Sequence, residues 1–556
     1  MSWQLSGSDD PMSDARVSTA FELLHPDVQQ WIWLQNWTEL RDVQEEAVRP
    51  ILRGDTDVII AASTASGKTE AAFLPIASSL AAVPDRLALV IYVSPLKALI
   101  NDQYGRLGPF FEHLDLPVWP WHGDVSATRK KRFRSDGRGV LLITPESLEA
   151  LFVSSGHSIH HIFRYLKYVV IDELHSFLGT ERGKQLQSLL HRLETAVERQ
   201  IPRIGLSATL GELSLAAEYL RPLRSSLVPI IESNFGGQEL KLLVRGYEEK
   251  ADSEQMERPE EATEDEPDET GTTKRRIVED LFQVLRGTNN LVFANSRAEV
   301  ESYADLLRIR CEQDQLPAEF WPHHGSLSKE LREHVEGLLK DWSRPATAVC
   351  TSTLELGIDI GSVKSVAQVG SPFSVASLRQ RLGRSGRRTE PAILRVYIAE
   401  TCLTDQTAPV NAIRAELVQS VALIQLLLAR WCEPPETNGL HLSTLVHQIL
   451  SLVAERGGIL PSDAWQILCR DGPFHNVSPK QVAELLRGLG GAGILMQAGD
   501  GNLLHAPTGE KIVNHYSFYT VFQTPEEYRL DNRLRPKPRH FTGGLPSSRE
   551  NADCVR

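Results

Sequence analysis

The sequence predicts an α/β protein in which two doubly wound parallel sheets follow one another and a mostly helical domain comes last. Three observations support this prediction. Short apolar, β-branched runs, each followed by a helical stretch, occur in two series; a strongly acidic segment separates the series; and the pattern beyond about residue 408 is helical. Continuous apolar runs that alternate with helices are typical of parallel strands covered on both faces. A chain of 556 residues is also too long for one hydrophobic core.

The strands and domain boundaries follow from these runs. In the first series we expect strands at Asp57–Ile60, Leu87–Val93, Val140–Thr144, Tyr168–Asp172 and Ile204–Ser207. In the second series we expect them at Leu291–Ala294, Ala346–Thr351, Ser365–Val369 and Leu394–Ile398. Further on, several short helices at Leu440–Leu495 precede a hairpin at Gly499–Leu504, which is the order of a winged-helix module. The predicted domains are an N-terminal extension (1–36), a first lobe (37–247), an acidic linker (248–275), a second lobe (276–407), a helical winged-helix-type domain (408–530) and an irregular tail (531–556).

The net charge of −13 is concentrated in one segment. Between Glu248 and Thr270 there are twelve acidic and two basic residues, so this tract carries −10 and the rest of the chain only −3. The tract is poor in apolar residues, which predicts a disordered linker, either a solvated tether or a regulatory tail that mimics nucleic acid. The nearly neutral remainder is compatible with a nucleic-acid partner, because local potential governs contact with phosphates.

Cysteine usage and hydropathy indicate a cytoplasmic protein. The six cysteines are scattered without a C-x-x-C pair, which argues against a structural metal and against a disulfide framework. The N-terminus lacks a basic-then-apolar signal, and the most apolar helical run falls far short of the about 20 residues that span a bilayer. We therefore expect no membrane partner and no structural metal site.

A phosphate-binding loop is predicted directly after the first strand. The residues that form it and open the next helix are Ala62, Ser63, Thr64, Ala65, Ser66, Gly67, Lys68 and Thr69. Backbone N–H groups and the helix N-terminus of such a loop hold phosphates, the lysine reaches the β- and γ-phosphates, and the following hydroxyl ligates Mg²⁺. The pattern therefore predicts a nucleotide site around Lys68 and Thr69, although taken alone it also fits a kinase.

Two further segments supply the charges that phosphoryl transfer requires. Asp172 and Glu173 end an apolar strand, where Asp172 is placed to bind the metal and Glu173 to polarise the attacking water. Taken alone, they are an ordinary acidic strand-to-helix turn. In the second lobe, Arg384 and Arg387 are three residues apart, on neighbouring positions of one helical face. Their guanidinium groups can reach across a cleft to the γ-phosphate, whereas an isolated Arg-rich turn is more often a solvated or phosphate-binding surface.

In their order along the chain, these segments resemble the motifs of the superfamily 2 helicases. The resemblance runs from Gln44 to Arg388 and implies two RecA-like lobes that use ATP and Mg²⁺, with Gln44 as the adenine-reading residue. The other segments that follow the family order are Ser94-Pro95-Leu96-Lys97-Ala98-Leu99, Thr144-Pro145-Glu146-Ser147-Leu148, Ser207-Ala208-Thr209, Val292-Phe293-Ala294-Asn295-Ser296-Arg297, His324-Gly325-Ser326-Leu327 and Thr351-Ser352-Thr353-Leu354-Glu355-Leu356-Gly357-Ile358-Asp359.

The resemblance implies roles for individual residues. Those implied to contact the nucleotide are Gly357 and Asp359. Those implied to couple hydrolysis to movement are His175, Ser207, Thr209 and Gln380. Those implied to contact nucleic acid are Ser94, Lys97, Thr144, Arg182, Arg297 and Thr353. We expect His323 and His324 on the surface rather than at the strand or cleft. The cluster expected to pack on the first lobe is Trp31, Trp33 and Trp37, with Trp37 bracing the adenine near Gln44.

Finer features resemble the Lhr (large helicase-related) family. They are Asp172-Glu173-Leu174-His175 with Gly179-Thr180-Glu181-Arg182-Gly183, and Gly509-Glu510-Lys511 with Phe518–Tyr528. This resemblance implies translocation from three-prime to five-prime on single-stranded DNA, unwinding of DNA duplexes or RNA–DNA hybrids, and a role in DNA repair. If DNA is the track, we expect association with the nucleoid. Family members usually continue well past Tyr528, which predicts a short or C-terminally truncated member.

Departures and alternatives accompany this interpretation. Ser63 and Ala65 replace the usual proline and glycine of the phosphate-binding loop. An RNA-directed DExH helicase or remodeller would carry the same motifs, because they contact phosphate and ribose. A non-catalytic nucleic-acid clamp is the alternative outside enzymes. The winged-helix module is expected either to contact the strand or to act as a structural brace.

Overall fold

The computed structural model of the chain describes residues 19–62, 66–208, 212–233, 239–249, 270–355, 360–386, 390–403, 407, 409–521, 527–530 and 539–542. The chain divides into two units. The first comprises Met1–Thr144, Ile162–Ser176 and Gln200–Pro435, and the second comprises Pro145–His161, Phe177–Arg199 and Glu436–Arg556. In the part of the chain that is described, no helix is both long and apolar enough to cross a bilayer.

The first unit begins with a parallel sheet. Its strands are β1 (Val58–Ala61), β2 (Leu89–Val93), β3 (Val118–Trp121), β4 (Gly139–Ile143), β5 (Leu166–Ile171), β6 (Arg203–Ser207) and β7 (Ile230–Glu232). Over the described residues their order is β3-β4-β2-β5-β6-β1-β7, and every pairing is parallel. The helices over the same stretch of sequence are α1 (Pro26–Leu34), α2 (Asp42–Arg53), α3 (Lys68–Ala81), α4 (Lys97–His113), α5 (Ala127–Asp136), α6 (Pro145–Ser155), α7 (Ile159–Ile162), α8 (Glu181–Ala196) and α9 (Leu213–Leu220). Of these, α6, α8 and most of α7 belong to the second unit. The five strands predicted in the first series are confirmed as β1, β2, β4, β5 and β6.

A second parallel sheet follows in the same unit. Its strands are β8 (Leu240–Glu249), β9 (Asn290–Phe293), β10 (Phe320–His323), β11 (Thr347–Cys350), β12 (Ser365–Val369) and β13 (Ala392–Thr401). Among the residues described, the order is β10-β11-β9-β12-β13-β8, again with parallel pairings throughout. The helices are α10 (Thr270–Leu285), α11 (Arg297–Gln313), α12 (Lys329–Lys340), α13 (Val375–Leu382), α14 (Pro409–Ala412) and α15 (Ala415–Leu428). The four strands predicted in the second series are confirmed as β9, β11, β12 and β13.

Burial explains why the central strands could be predicted from the sequence. Every residue of β1, β2, β4, β6, β9, β11 and β12 is buried. A strand that is covered on both faces must be apolar at nearly every position, so it gives a continuous run rather than an alternating one. The predicted fold class, two tandem doubly wound sheets, is therefore confirmed.

Four strands of the two parallel sheets escaped prediction for identifiable reasons, and the hairpin of β16 with β17 lies partly in the tail that was predicted to be irregular. β3 and β10 are short, and each contains a proline, Pro120 and Pro322 respectively. Proline has no backbone N–H to donate, so it is compatible with a strand chiefly at the edge of a sheet, and both strands lie at such an edge. β7 has three residues with only the central one buried. β8 is polar along much of its length, with Leu240 to Glu249 leading into the acidic tract.

β8 also corrects the predicted domain boundaries. It pairs with β13 over ten residues, from Leu240 opposite Ala392 to Glu249 opposite Thr401, so residues from 240 onward belong to the second sheet and not to a lobe that ends at 247. Residues 250–269 of the acidic linker lie outside the described part, and α10 begins at Thr270, within the predicted linker. The predicted start of the last domain at 408 is also too early, because α15 buries Leu423, Ile424 and Leu427 in the core of the second sheet.

The second unit joins α6 and α8 to the C-terminal part of the chain. Its remaining elements are α16 (Leu442–Arg456), α17 (Pro461–Trp465), α18 (Pro479–Gly491), β14 (Leu495–Gln497), β15 (Leu503–His505), α19 (Pro507–Val513), β16 (Glu527–Leu530) and β17 (Arg539–Thr542). β14 and β15 form an antiparallel hairpin, and Ile459 bridges to Leu503 beside it. The helices and the hairpin follow in the order predicted for a winged-helix module.

A buried polar cluster holds α6, α8 and α16 together in the second unit. Its members are Glu149, Gln185, Arg192, Gln448, Ser451 and Glu455. Arg192 Nη1 donates to Glu149 Oε1 at 3.4 Å, and Arg192 Nε donates to Glu455 Oε2 at 2.9 Å. The side chain of Glu149 is fully buried and that of Arg192 is 1 % exposed. The helices α6 and α8, which follow the segments at Thr144 and Asp172 in the sequence, are thus joined to α16 by buried charged groups.

Candidate functional site

A cleft of about 720 Å³ in the first unit brings together the predicted nucleotide-site residues. From the region of the first sheet it is lined by Trp37, Gln44, Gly67, Lys68, Thr69, Asp172 and Glu173. From the region of the second sheet it is lined by Gly361, Ser362, Gly383, Arg384 and Gly386. Loops at the carboxyl ends of parallel strands meet at one edge of a sheet, which is why residues distant in sequence converge here.

Gln44 lies directly against the glycine of the phosphate-binding loop. It is the third residue of α2, and its Oε1 accepts a hydrogen bond from the backbone N–H of Arg41 at 3.0 Å. Gly67 has a φ of 85°, and a Cβ atom at this position would lie 2.6 Å from Gln44 Nε2. The left-handed backbone and the close side chain both favour glycine here.

Lys68 opens α3 with its side chain inside the cleft. Its Nζ donates to the carbonyl oxygen of Ala62 at 2.6 Å, and the residue is 7 % exposed. Burial lowers the pKa of Lys68, and the carboxylates of Glu173 and Asp172 oppose that shift. The two carboxylates thus help to keep the buried ammonium group charged, and in this form it can contact an anionic phosphate in the cleft.

Asp172 follows β5 directly. Its backbone N–H donates to the carbonyl oxygen of Val93 at 2.9 Å, and the hydroxyl of Tyr92 donates to its Oδ2. Burial and the neighbouring charge of Glu173 raise the pKa of Asp172 to about 7. Two adjacent buried carboxylates with so little compensating charge fit a divalent cation, and Thr69 on the first turn of α3 offers a hydroxyl oxygen.

Glu173 begins a polar chain that leads away from the cleft. It has a φ of 47°, a left-handed conformation that costs a non-glycine residue about 1–3 kcal/mol and is often found at functional sites. Glu173 Oε2 lies 3.5 Å from His175 Nδ1, which lies 3.4 Å from Ser207 Oγ. Burial lowers the pKa of His175. The structure thus brings Glu173 together with two of the residues predicted to couple hydrolysis to movement.

Arg384 is the predicted arginine that the structure places in the cleft. It is 6 % exposed, and its Nη2 donates to the carbonyl oxygen of Glu355 at 3.0 Å. Sequence reasoning missed Arg381, whose Nε donates to Glu355 Oε2 at 2.9 Å and whose guanidinium lies 4.7 Å from the ring centroid of Phe293. Its spacing of three residues from Arg384 was the available signal. Gln380, predicted for coupling, is half-buried on the same helix, α13.

The residues of the first sheet that are candidates for contacting nucleic acid lie at the ends of neighbouring β-strands. Ser94 follows β2 and Thr144 follows β4, and both are buried. The backbone N–H of Ser94 donates to the carbonyl oxygen of Ile143 at 3.0 Å, which links the two strand ends. Lys97 begins α4 with 57 % of its side chain exposed, and its Nζ lies 4.0 Å from Asp124. This edge of the sheet therefore holds two buried polar residues, Ser94 and Thr144, beside the exposed Lys97.

Arg182, a predicted nucleic-acid contact, forms an ion pair within the second unit. It belongs to the second unit, where its Nε and Nη2 donate to the two carboxylate oxygens of Glu146 at 2.5 and 2.9 Å. The guanidinium also lies 5.7 Å from the ring centroid of Phe177. This bidentate ion pair is an internal contact within the second unit, so the predicted role of Arg182 in binding nucleic acid has no direct support from its geometry.

Two histidines of the second lobe are buried, contrary to the expectation of surface positions. His323 is 1 % exposed, and its two ring nitrogens lie 2.8 Å from Thr353 Oγ1 and 3.2 Å from Glu336 Oε1. His324 is 4 % exposed, with its Nε2 at 2.6 Å from Glu301 Oε1. Thr353, a predicted strand contact, is thus positioned by His323. The burial pattern of β10 has no two-residue period, because Phe320 and His323 are buried at its two ends and lie on opposite faces of the sheet, so no signal in the sequence indicated the burial of His323.

Arg297 and the tryptophan cluster complete the comparison with the predicted residues. Arg297 begins α11 and is exposed. Trp31 packs on the first lobe as expected, with ring centroids 5.6 Å from Trp37 and 4.4 Å from Phe110. Trp33 was expected to pack there too, but it is 74 % exposed because α1 buries Val28 and Ile32 on its other face.

Several predicted residues lie outside the described part of the chain. They are Ser63, Thr64, Ala65, Thr209, Gly357, Asp359 and Arg387. The flanking residues of the loop are described: Ala62 is buried and Ser66 is half-buried. The roles predicted for the seven residues therefore stay predictions.

Comparison with known families and structures gives consistent matches. The sequence matches the DEAD/DEAH box helicase domain over residues 41–216 and the helicase conserved C-terminal domain over residues 273–389. The ATP-dependent helicase Lhr-Core of Methanothermobacter thermautotrophicus is 32% identical over 383 residues, which are 66% of this chain and 42% of the relative. Lhr-Core of Saccharolobus solfataricus is 28% identical over 498 residues, 85% of this chain and 52% of the relative.

A solved structure extends the likeness to the fold. The structure of the Mycobacterium smegmatis helicase Lhr bound to single-stranded DNA and AMP-PNP matches with a TM-score of 0.72 and 26% identity. The match covers 89% of this chain and 62% of that one. Both lobes of the first unit therefore have the RecA-like helicase fold. The chain spans about half the length of the curated relatives it matches.

Proposed function

The chain belongs to the DEAD/DEAH box helicases, and on this premise we propose that it is an ATP-dependent nucleic-acid motor. It hydrolyses ATP in the cleft of the first unit and moves along single-stranded DNA. Movement unwinds a DNA duplex or an RNA–DNA hybrid. Its likeness to the M. smegmatis helicase Lhr, whose structure holds single-stranded DNA and AMP-PNP, supports this assignment.

One observation carries the proposal: a single cleft holds a buried ammonium group, two buried carboxylates and a guanidinium from the other sheet. These groups belong to Lys68, Asp172, Glu173 and Arg384. Phosphoryl transfer needs charges fixed around the transferred group and a side chain that orients the attacking water. A non-catalytic clamp would have no need for this set of buried charges.

The proposed contacts with ATP depend on which side-chain atoms already have a hydrogen-bond partner within the protein. Because the N–H of Arg41 takes Oε1 of Gln44, the amide N–H₂ group is the part of Gln44 left to read the adenine. Trp37 lines the same end of the cleft. Residues of the loop from Ala62 to Thr69 hold the phosphates, with Lys68 on the β- and γ-phosphates. Thr69 and Asp172 would hold Mg²⁺, which would neutralise phosphate charge there.

The hydrolytic roles follow from position along the polar chain. Glu173 polarises the attacking water and accepts its proton. His175 lies beside the Glu173 carboxylate, and Ser207 at the end of β6 contacts His175, so the two residues connect Glu173 to β6. Arg384 approaches from the second lobe, so its contact with the γ-phosphate depends on the two lobes being close together. Hydrolysis thereby controls how tightly the lobes are joined, and alternate closure moves the strand.

The protein binds the nucleic-acid strand without recognising its base sequence. Ser94, Thr144 and Thr353 contact phosphate and ribose, and Lys97 and Arg297 add positive charge at the starts of α4 and α11. Such contacts carry little base information. Three-prime to five-prime movement, a role in DNA repair and a place in the cytoplasm are parts of this proposal that rest on the likeness to Lhr.

RNA is the second candidate track, because hydroxyl contacts to phosphate and ribose fit either nucleic acid. The test is steady-state ATPase with no nucleic acid, with single-stranded DNA and with RNA of the same sequence. The better stimulator identifies the track. Stimulation by neither would overturn the motor proposal.

The matched variants are Glu173→Gln and Glu312→Gln. Glu173→Gln should lower stimulated turnover by about 10²- to 10⁴-fold, the contribution expected of a general base. Glu312 is an exposed carboxylate on α11 with 62% of its side chain accessible, so Glu312→Gln should leave turnover unchanged. Undiminished hydrolysis in Glu173→Gln would show that the site has been assigned to the wrong carboxylate.

A further inference from the structure

The two lobes contain a matching segment after their edge strands. In the first lobe it runs Trp119-Pro120-Trp121-His122-Gly123-Asp124-Val125-Ser126, and in the second Trp321-Pro322-His323-His324-Gly325-Ser326-Leu327-Ser328. Tryptophan-proline, histidine-glycine and serine recur at the same spacing. The two segments occupy equivalent places, since β3 and β10 each form the edge of a parallel sheet.

The local geometry of the two segments is also the same. The backbone N–H of Val125 donates to His122 O at 3.2 Å, and that of Leu327 donates to His324 O at 3.1 Å, so each histidine begins the same turn. Ser126 then caps α5 by accepting from Arg129 N at 3.4 Å. Ser328 caps α12 in the same way from Leu331 N at 3.3 Å. α5 and α12 are therefore counterparts.

The charges of these counterpart helices differ sharply. α5 carries five cations, Arg129, Lys130, Lys131, Arg132 and Arg134, and one acid, Asp136, for a net charge of +4. α12 carries three cations, Lys329, Arg332 and Lys340, and three acids, Glu330, Glu333 and Glu336, for a net charge of zero. The fold at this position thus accepts a neutral helix, so the charge of α5 is not required by the architecture.

The cations of α5 have no carboxylate partner at ion-pair distance in the described part of the chain, although the charge of Asp124 acts on Lys130. Within the described ranges, none of the five forms an ion pair, although the whole chain has 72 acidic residues. Arg129 Nη2 instead donates to the hydroxyl of Tyr104 at 2.5 Å. Lys130 Nζ and Arg134 Cζ lie 5.7 and 5.6 Å from the ring centroid of Trp121. Lys131 and Arg132 are exposed.

Aromatic packing fixes this basic helix to its strand. Phe133 is fully buried, with its ring centroid 5.5 Å from that of Trp121 and 6.0 Å from that of Trp119. Aromatic faces attract cations and support their aliphatic stems, which leaves the charged heads free to meet an anion from solvent. The helix therefore presents five cations against one acid of its own, Asp136, and that carboxylate pairs with Arg138 outside the helix.

We infer that α5 is an additional nucleic-acid binding surface, which holds backbone phosphates beyond the strand contacts at Ser94 and Thr144. The inference rests on the proposed function. In the order β3-β4-β2, the carboxyl ends of adjacent strands present the His122–Gly123 turn, Thr144 and Ser94 in a row. α5 begins where this row reaches the sheet edge, so a nucleic acid that follows the row meets its cations next. Regularly spaced phosphates are the anions that such a run of unpaired cations fits.

The test compares the salt dependence of binding in two double variants. Lys131→Ala/Arg132→Ala removes two exposed cations from α5. Arg53→Ala/Arg224→Ala removes two exposed cations of the same lobe that are near neither α5 nor the cleft. The affinity of the full chain for a fluorescent oligonucleotide, single-stranded and duplex, is measured from about 50 to about 200 mM salt.

Loss of two phosphate contacts should make the slope of log affinity against log salt shallower by about 1.4 for a single strand or about 1.8 for a duplex. The variant at Arg53 and Arg224 should retain the wild-type slope. The variant Lys131→Arg/Arg132→Lys should also retain the wild-type slope, because it keeps both charges. It controls for an effect of substitution on folding. The substrate whose slope changes by the expected amount is the one that lies on α5.

Three outcomes would overturn the inference. The first is an unchanged slope in Lys131→Ala/Arg132→Ala, and the second is an equal change in the variant at Arg53 and Arg224. The third concerns the acidic tract as the occupant. Suppose that deleting residues 250–269 tightened oligonucleotide binding in the wild type but not in Lys131→Ala/Arg132→Ala. The acidic tract, and not nucleic acid, would then be the partner of α5. Failure of the wild-type chain to bind any nucleic acid would instead overturn the proposed function.

Discussion

Replacing Arg192 by methionine should destabilise the second unit strongly. The guanidinium of Arg192 lies between the carboxylates of Glu149 and Glu455, and the side chain of Glu149 is fully buried. Removing one partner of a buried ion pair typically costs about 3–5 kcal/mol, because the remaining charge is left without compensation. Methionine retains much of the volume of arginine, so the loss reports on charge rather than on a cavity.

Native-state hydrogen exchange of the amides in α16 is the suitable assay, because a chain with two units need not unfold in a two-state manner. Since each 1.4 kcal/mol is a factor of ten, exchange should accelerate by about 10²- to 10⁴-fold. The double variant Glu149→Gln/Arg192→Met should recover part of the loss, by about 0.5–3 kcal/mol, because it removes both charges of the pair. Strictly additive effects, or acceleration of less than about tenfold in Arg192→Met, would refute the view that this pair stabilises the unit.

Two further predictions concern acid stability and the phosphate-binding loop. Burial alone would raise the pKa of Glu149, but the charges of His447 and Arg192 and hydrogen bonds from Ser451 and Gln185 outweigh it and hold the pKa below its ordinary value. The stabilisation by the ionised Glu149 is therefore complete above about pH 4.3 and is lost as the pH falls through the lowered pKa. Over that acidic range, hydrogen exchange in α16 should depend less on pH in Glu149→Gln than in the wild type. Equal acid sensitivity in the variant and the wild type would contradict this. Gly67→Ala should raise the KM for ATP by about tenfold, because a left-handed alanine costs about 1–2 kcal/mol and its Cβ would lie 2.6 Å from Gln44 Nε2. Gly105→Ala on α4, where a Cβ meets no atom within 4 Å, should leave KM unchanged, and an unchanged KM in Gly67→Ala would show that the loop is not held against Gln44.

The central strands and the motifs that follow them were predictable because their information is local. A strand such as β2 is buried at every residue, so its apolar run identifies it without knowledge of its partners. Lys68, Asp172 and Arg384 were recognisable from neighbouring residues, and the structure places all three in one cleft. The edge strand β10 was missed because Pro322 and the flanking polar residues resemble a loop.

Other features depend on residues that are distant in the sequence. The pairing of β8 with β13 joins Leu240 to Ala392, and no local pattern marks that partnership. The burial of His323 is likewise decided by Glu336 and Thr353, which bring their side chains to it from other elements. A polar residue becomes an interior residue when such partners satisfy its hydrogen bonds, and its own sequence neighbours do not record this.

The sequence by itself determined the fold class, the two tandem lobes and most of the residues that line the nucleotide cleft. Each of these is a property of a short segment, namely the burial period of a strand or the chemistry of the loop that follows it. Only the tertiary structure decided where the second sheet begins, which histidines are buried, and that Arg182 pairs with Glu146. Only the structure also showed that α6 and α8 form one unit with the C-terminal helices, with Glu149 and Arg192 buried among them. The physical reason is that strand pairing and the compensation of buried charge are contacts between remote segments, and their free energy has no counterpart in local pattern.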